Sequence, residues 1–455
     1  GSPEDIIEAA FIGIQKAAEV IDMRLHSGSH SRMGATDVCP LVPISNTSME
    51  ECVKYSKILA ERVGNELNIP IFLYEKSATI EDRINLATIR SGEYEGMMDK
   101  LKKPEWKPDY GPIKRHESAG VTAIGARKFL IAYNINLNTQ DKRIATDIAL
   151  DIRELGRNKR DNKGKFMRDK DGIPIKVPGI LKHCKAVGWY LEQYNLAQVS
   201  MNLTDFDNTP PHVAFEVTRE QSRKRGVRVS GSELVGLIPL DAMISAGKYY
   251  LKKQHRSTGI PTKDIIHIAI KSMGLDDLIP FDPKKKIIEY CIKNLYGSLA
   301  SKSLHSFADE LSSDSPAPGG GSVSALAGAL AASLSAMVAN LTFGKKKWDP
   351  LYDKMCRISR DSQRLKEELL NLIDADTEAF NHVLNAYRMS KDTEEQISLR
   401  NKTINDAMKE ASNIPFRTLQ CCREVMNCSQ EAAESGHPNS ITDAGVSAEM
   451  ANAGA

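Results

Sequence analysis

Apolar positions along the first 300 residues switch between two spacings, and each switch marks an element. Residues 3–23 repeat at a helical period behind a polar Glu4-Asp5 start, which suits the positive end of a helix dipole. After a Gly/Ser-rich break, Asp37-Val38-Cys39-Pro40-Leu41-Val42-Pro43-Ile44 predicts a buried strand. Residues 49–67 predict a helix, 69–74 a strand and 78–89 a helix, followed by a polar stretch rich in Lys and Pro. A second unit opens with a strand over 128–137 and a helix over 142–155. Residues 189–191 and 196–203 predict paired strands joined at Gln193-Tyr194-Asn195, and 213–225, 239–252 and 263–273 predict helices. Such alternation predicts sheets covered by helices, twice over. From Leu304 onward the pattern is almost purely helical, and the small, polar residues 294–303 read as a linker. The expected fold class is α+β: two α/β-sandwich subdomains, 1–126 and 127–293, then an all-α helical-bundle domain over 304–455.

One uncharged run, Val323 to Phe343 (VSALAGALAASLSAMVANLTF), is long enough to cross a bilayer. It is mostly Ala, Ser and Gly, which supply little transfer free energy but let helix backbones approach closely. A buried bundle helix is therefore expected rather than a membrane span.

Composition narrows the class. With 41% hydrophobic and 26% charged residues, wholesale disorder is excluded. The formal net charge of +2 conceals an asymmetry, about +7 over the first 300 residues and about −5 over the rest. Eight scattered cysteines with no C-x-x-C fit thiols of a reducing cytosol, so a cytoplasmic location is expected. The chain opens without Met on Gly1-Ser2-Pro3 and stops at Ala455 within an Ala-rich pattern, which reads as a fragment trimmed at both ends. The basic stretch Arg157 to Lys176 reads as a solvated surface insertion, with a grip on an acidic ligand as the lesser reading. A nucleic-acid surface joined to a helical oligomerisation module is a poor alternative, because that stretch offers only Phe166 for stacking on bases.

Three constellations could carry chemistry. The first is Leu25-His26-Ser27-Gly28-Ser29-His30-Ser31-Arg32-Met33-Gly34, a Gly/Ser loop holding two histidines and an arginine just before a strand. Histidine suits general acid–base work and arginine suits carboxylate recognition. On the residues alone a catalytic loop, a plain surface loop and a metal site stay open. The second is Ser315-Pro316-Ala317-Pro318-Gly319-Gly320-Gly321-Ser322, a glycine turn opening the Ala-rich helix and lacking the lysine of a P-loop. The third is Ile373-Asp374-Ala375-Asp376-Thr377-Glu378-Ala379-Phe380 inside a helical run. Asp374 and Glu378 share one face there, and Asp376 points about 200° round the helix from Asp374. At least one of these carboxylates leans toward the bundle interior, where it could exchange protons; an acidic helix face is the plain alternative.

Together with GARKFLIAYNINL, GWYLEQYNLAQVSMNL, SELVGLIPL and FDPKKKIIEY, these segments resemble the formimidoyltransferase-cyclodeaminase family, in the same order along nearly the whole chain. The resemblance implies two folate reactions. A formimino group passes from N-formimino-L-glutamate to tetrahydrofolate, the group carrier. The 5-formimidoyltetrahydrofolate then closes to 5,10-methenyltetrahydrofolate with release of ammonia. It implies His30, in the G-x-H-x-R-M-G motif, as general base on the folate amine, with Arg32 beside it for substrate, and Asp376, the second Asp of D-A-D, as proton shuttle in the cyclisation. It implies a folate-contacting segment at Gly111, Pro112, Ile113, Lys114, Arg115, His116, Glu117, Ser118, Ala119 and Gly120, and a second pocket shaped by Gly319, Gly320, Gly321 and Ser322. No metal, no nucleic acid, a homo-oligomer, and folates with or without polyglutamate tails complete what it implies. Activity in only one half, with a degenerate or cyclohydrolase-like bundle, is the second enzymatic reading.

Overall fold

In a computed structural model of the 455-residue chain, every residue is described except 1, 28–30, 45, 293–297 and 345. The chain forms two compact units, Gly1–Leu130 and Ile131–Ala455.

The first unit is a parallel three-stranded sheet. Helix α1 (Pro3–Val20) starts on a capping box, in which Ser2 and Asp5 satisfy each other's backbone donors behind Pro3. Strand β1 (Val38–Leu41), α2 (Met49–Glu66) and β2 (Ile71–Glu75) follow, then α3 (Leu86–Arg90), α4 (Glu93–Lys100) and β3 (Thr122–Ala126). The strand order is β1-β3-β2, so the last strand inserts between the first two. Phe11, Ile14, Leu59 and Val63 cover one face against Ile71, Leu73 and Ile124. Met33, Ile89, Met97 and Leu101 cover the other against Phe72, Tyr74 and Ala123.

One expectation fails in this unit, and one strand goes unread. The helix read over 78–89 is a 3-10 turn, Glu81–Arg83, followed by the five-residue α3. Arg83 holds this segment down: its guanidinium donates to Asp109 Oδ2 at 2.7 Å and to two backbone carbonyls, in a buried ion pair. The central strand β3 (TAIGA) escapes the pattern reading because all five residues are buried and four of them are small, which leaves no period of two to detect.

The second unit begins with β4 (Ile131–Leu137), α5 (Lys142–Ile152), β5 (Arg157–Asn158), β6 (Lys176–Val177), β7 (Cys184–Leu191) and β8 (Leu196–Leu203). Helix α6 (Pro211–Lys224), β9 (Val229–Val235), α7 (Leu240–Lys253), α8 (Thr262–Met273), α9 (Pro283–Lys286) and α10 (Ile288–Ile292) come next. An antiparallel sheet, β7-β8-β4-β9, presents Ile131, Tyr133, Ile135 and Leu137 to a core shared with the helices. Strand β9 (VSGSELV) also escapes the pattern reading, because Gly231 and Ser232 occupy buried positions where apolar residues would mark the period. The insertion read as a loop is an ordered β-arm. Arg160-Asp161 with Gly164 recurs eight residues on as Arg168-Asp169 with Gly172. In each turn the aspartate carboxylate accepts two backbone N–H groups, and the arginine donates to the glycine carbonyl at 2.6 Å.

The remainder is helical: α11 (Leu304–Leu311), α12 (Gly320–Leu341), α13 (Tyr352–Arg388), α14 (Glu394–Ser435) and α15 (Ile441–Gly454). Of the residues read as a linker, 294–297 lie outside the described residues. The apolar run read as a core helix is α12, and it packs on α13, α14 and α15 through Ala325, Gly328, Ala329, Ala332 and Ala336. Among the described residues it is the one helix long and apolar enough to cross a membrane, and its small residues are what let three neighbours approach. Ser335, Ser429 and Ser447 close a buried hydroxyl triangle between α12, α14 and α15, with sides of 2.8–3.0 Å. The bundle is also tied to the α/β part of its unit. Ser257 Oγ lies 2.8 Å from Ser359 Oγ, Asn340 Nδ2 donates to Gly259 O at 2.8 Å, and a Cβ on Gly259 would lie 2.3 Å from the Ser359 backbone.

Candidate functional site

The first group of predicted residues is built from loops. His30 lies outside the described residues, as do Gly28 and Ser29. The backbone from Arg32 to Asp37, just beyond His30, is held firmly. Met33 N donates to Asp37 Oδ1 at 2.8 Å, Val121 N to Met33 O, and Ala35 N to Ala119 O. Gly34 is required here, because a Cβ would sit 2.1 Å from Val121 O. Gly120 faces it at φ +74, with its own Cβ position 2.3 Å from Met33 O. Arg32 is not a free cation. Its guanidinium donates to Glu93 at 3.0 Å, to both oxygens of Glu95 at 2.9 and 2.7 Å, and to His26 O at 2.9 Å. That fork holds the Glu95 carboxyl down at about 2. Arg32 thus ties the histidine loop to the start of α4, while His26 itself is exposed.

The segment 111–120 divides. Pro112, Lys114, Arg115, His116, Glu117 and Ser118, with Arg24 and Asn68, line an open cavity of about 500 Å³. Gly111, Ile113, Ala119 and Gly120 do not line it; Gly111 packs against Ile69 O at φ +80, and Ala119 is buried. Arg115 lies over the Tyr94 ring, 3.8 Å from its centroid, and donates to Tyr94 O at 2.5 Å. His116 Nδ1 accepts from Ala119 N at 3.1 Å, so a neutral imidazole carries its proton on Nε2. Arg24 is already forked onto Asp22 at 2.9 and 2.7 Å and has Glu117 3.8 Å away, so Lys114 is the wall cation the cavity offers to a carboxylate-bearing ligand.

Sequence reasoning missed a second polar surface, on the sheet face of the second unit opposite its helices. Gln198 is fully buried; its amide donates to Asn136 Oδ1 at 2.7 Å and Glu233 Oε2 at 3.3 Å, and accepts from Trp189 Nε1 at 2.8 Å. Asn134 also donates to Glu233, and Asn136 to Asp277. Three buried amides on one sheet face would be costly unpaired, and here they hold one another and the carboxylates of Glu233 and Asp277. The signal lies in the alternation of YNINL and LAQVSMNL, where every second residue is polar in otherwise apolar strands.

The bundle site is built on helices. Asp376 on α13 faces the first turn of α12, and Ser322 Oγ lies 2.9 Å from Ile373 O and 3.2 Å from Asp376 Oδ2. A Cβ on Gly321 would lie 2.2 Å from Asp376 Oδ1, so glycine is what admits the carboxylate. Gly319 caps α12 with no side-chain partner, and the positive end of the helix dipole faces this space. The D-A-D pair separates by role. Asp374 accepts Leu299 N at 2.8 Å and Ala300 N at 3.0 Å, pinning the segment expected to be a linker, while Glu378 is exposed. Of the three acidic residues, Asp376 is the half-buried one that opens on the glycine turn. Gly319 and Gly320 meet no neighbour within 4 Å of a Cβ position, so the turn is open there.

A loop-built cavity in the first unit and a carboxylate at the start of α12 in the bundle are two separate candidate sites, as an enzyme with two reaction centres would carry. Three family models match successive parts of the chain: the formiminotransferase domain, N-terminal subdomain, over residues 1–127; the formiminotransferase domain over 132–293; and formiminotransferase-cyclodeaminase over 303–455. The chain is 39% identical to the formimidoyltransferase-cyclodeaminase of Rattus norvegicus over 456 residues, covering all of this chain and 81% of that protein. Its front half is 46% identical to the glutamate formimidoyltransferase of Streptococcus pyogenes serotype M1 over 252 residues, 55% of this chain and 77% of that one. A further 154 residues, 34% of this chain and 74% of the relative, are 38% identical to a methenyltetrahydrofolate cyclohydrolase of Methylorubrum extorquens. The chain belongs to the formimidoyltransferase-cyclodeaminase family.

Proposed function

We propose that this bifunctional enzyme moves the formimino group of N-formimino-L-glutamate to tetrahydrofolate in its front half. The bundle then cyclises 5-formimidoyltetrahydrofolate to 5,10-methenyltetrahydrofolate. In the first step the folate amine bonds to the amidine carbon, the bond to glutamate nitrogen breaks, and that nitrogen leaves protonated. His30 takes the folate amine's proton, and Arg32 keeps its loop in place through Glu93 and Glu95. The cavity along 112–118 carries the cations that a folate's carboxylates need. In the second step N10 bonds to the carbon of the formimidoyl group in its protonated, amidinium form, Asp376 relays the N10 proton to the exocyclic nitrogen, and that carbon–nitrogen bond breaks to release ammonia and leave the methenyl cation. Tetrahydrofolate is the group carrier, so the protein supplies position and proton transfer.

The observation that carries the second half is the fit of Asp376 over Gly321, a carboxylate aimed at an open helix start. A cytoplasmic location fits the free thiols, and folates with acidic glutamate tails fit the basic front half. The test follows two products from one preparation. Formiminoglutamate and tetrahydrofolate should yield both ammonia and methenyltetrahydrofolate, His30→Ala should abolish formation of the formimidoyl intermediate, and Asp376→Asn should let that intermediate accumulate. Ammonia release at the wild-type rate by Asp376→Asn would remove Asp376 from the mechanism.

A further inference from the structure

A second cavity, of about 700 Å³, lies in the second unit where the end of α7 meets the turn between α12 and α13. It is a whole helix length from the bundle site, roughly 30 Å at 1.5 Å per residue along the 22-residue α12. Neither reaction centre includes it. Three aromatic rings wall it, Phe343, Trp348 and Tyr352, with Phe343 and Tyr352 edge to face at 5.5 Å. His255 and Arg256 enter from the α/β side and Lys346 from the bundle side. Among the described residues neither Arg256 nor Lys346 forms an ion pair. Asp349 and Asp353 supply carboxylates to the same cavity.

We propose that this seam cavity is a binding site for a folate, separate from both reaction centres; the ligand class rests on the function proposed above. The chemistry of the walls selects it. A folate has a flat heteroaromatic ring for the aromatic rings to stack on. The ring's amino-pyrimidinone edge donates two parallel N–H groups, which a carboxylate such as Asp349 or Asp353 accepts. Its far end carries the carboxylates that Arg256 and Lys346 would neutralise. A phosphate-bearing nucleotide would match the cations but would bring its charge without the need for two acidic partners. The volume falls within the range of sites for molecules of this size. A ligand here touches both sides of the contact made by Ser257, Gly259, Asn340 and Ser359, so its binding holds the two parts of the unit together.

Folic acid is the probe, because its oxidised ring has no N5 hydrogen and cannot accept a formimino group. Calorimetric titration of the full chain should show a class of sites that weakens at least tenfold in Arg256→Ala and in Trp348→Leu. The folic-acid-induced rise in melting temperature should shrink in both variants, while turnover of each half-reaction at saturating substrate stays within twofold of wild type. Arg256 is exposed, so its truncation opens no core. Unchanged stoichiometry and affinity in both variants would overturn the site, and displacement of folic acid from it by ATP at equal concentration would overturn the ligand class. Wild-type turnover in the same preparation separates the two proposals. Turnover without a lost binding class sinks the seam site alone, whereas a lost class with no turnover of either substrate sinks the proposed function.

Discussion

The two proposed reaction centres are positioned by different means. In the first unit the histidine loop and the segment 111–120 are loops, and contacts between side chains remote in sequence hold them: Arg32 with Glu93 and Glu95, Arg115 with Tyr94, Gly34 against Gly120. In the bundle, Asp376 and Ser322 sit on two long helices whose packing brings them together, with no charged partner among the described residues. A loop site can be loosened by removing one clamp, and it fails by degrees. A helix-borne site fails when the one close approach it depends on is blocked. General acid–base residues contribute roughly 10² to 10⁴ in rate. Asp376→Asn should therefore lower ammonia release about 10³-fold and leave formimino transfer untouched. Equal loss in both assays would mean that the centres are not independent.

Gly321→Ala probes the same site by shape alone. Its new methyl would lie 2.2 Å from Asp376 Oδ1, so either the carboxylate or the start of α12 must move. Misplacement of a catalytic group by about 1 Å costs on the order of 10²-fold. Cyclisation should fall by that factor with the melting temperature little changed. A fully active Gly321→Ala enzyme would show that the carboxylate is free to work from elsewhere.

Legibility follows the same division. The D-A-D helix and the glycine turn are readable because 3.6-residue spacing fixes which side chains share a face, and α12 is readable as a core helix from its small residues. The spacing cannot say which carboxylate faces the turn. That depends on Leu299 and Ala300 claiming Asp374, a contact made across about 75 residues. In the first unit Arg32 reads as a substrate ligand because arginine beside histidine suits carboxylates, yet Glu93 and Glu95, more than 60 residues on, take its donors. The network around Gln198 is hidden for the related reason that it spans four strands and a loop. Strand β3 is invisible because burial on both faces removes alternation.

Arg32→Ala should test the clamp. Formimino transfer should drop about tenfold, the scale of a lost positioning contact, with cyclisation unaffected. Arg32→Lys should recover little, since an ammonium cannot bridge two carboxylates and a carbonyl in one plane. The pairing also sets a pH expectation. Glu95 titrates at about 2 in the fold and near 4.5 when unpaired. Its contribution is therefore complete above about 4.5 and fades only as pH falls from there through 2. The transfer rate should show no step from this clamp between pH 5 and 8, and Glu95→Gln should not shift the pH profile in that window while lowering its height.

The smallest expected effect lies where the bundle is most completely satisfied. Ser447 donates to Ala331 O at 2.6 Å and meets Ser335 and Ser429, all buried between three helices. Ser447→Ala removes one hydroxyl. Ser335 and Ser429 still pair with each other at 3.0 Å, and Ser429 keeps Val425 O, so only the Ala331 carbonyl loses its side-chain donor. A net loss of about 1 kcal/mol is expected, against up to about 3 kcal/mol if a polar group were left wholly unpaired. Urea unfolding of wild type and Ser447→Ala measures it. Because the hydroxyls stand apart from Asp376, cyclisation at room temperature should not change. A rate loss with a stability loss this small would show that the bundle site depends on how tightly α12 and α15 are tied, and that its rigidity is conditional in the way the loop site's is.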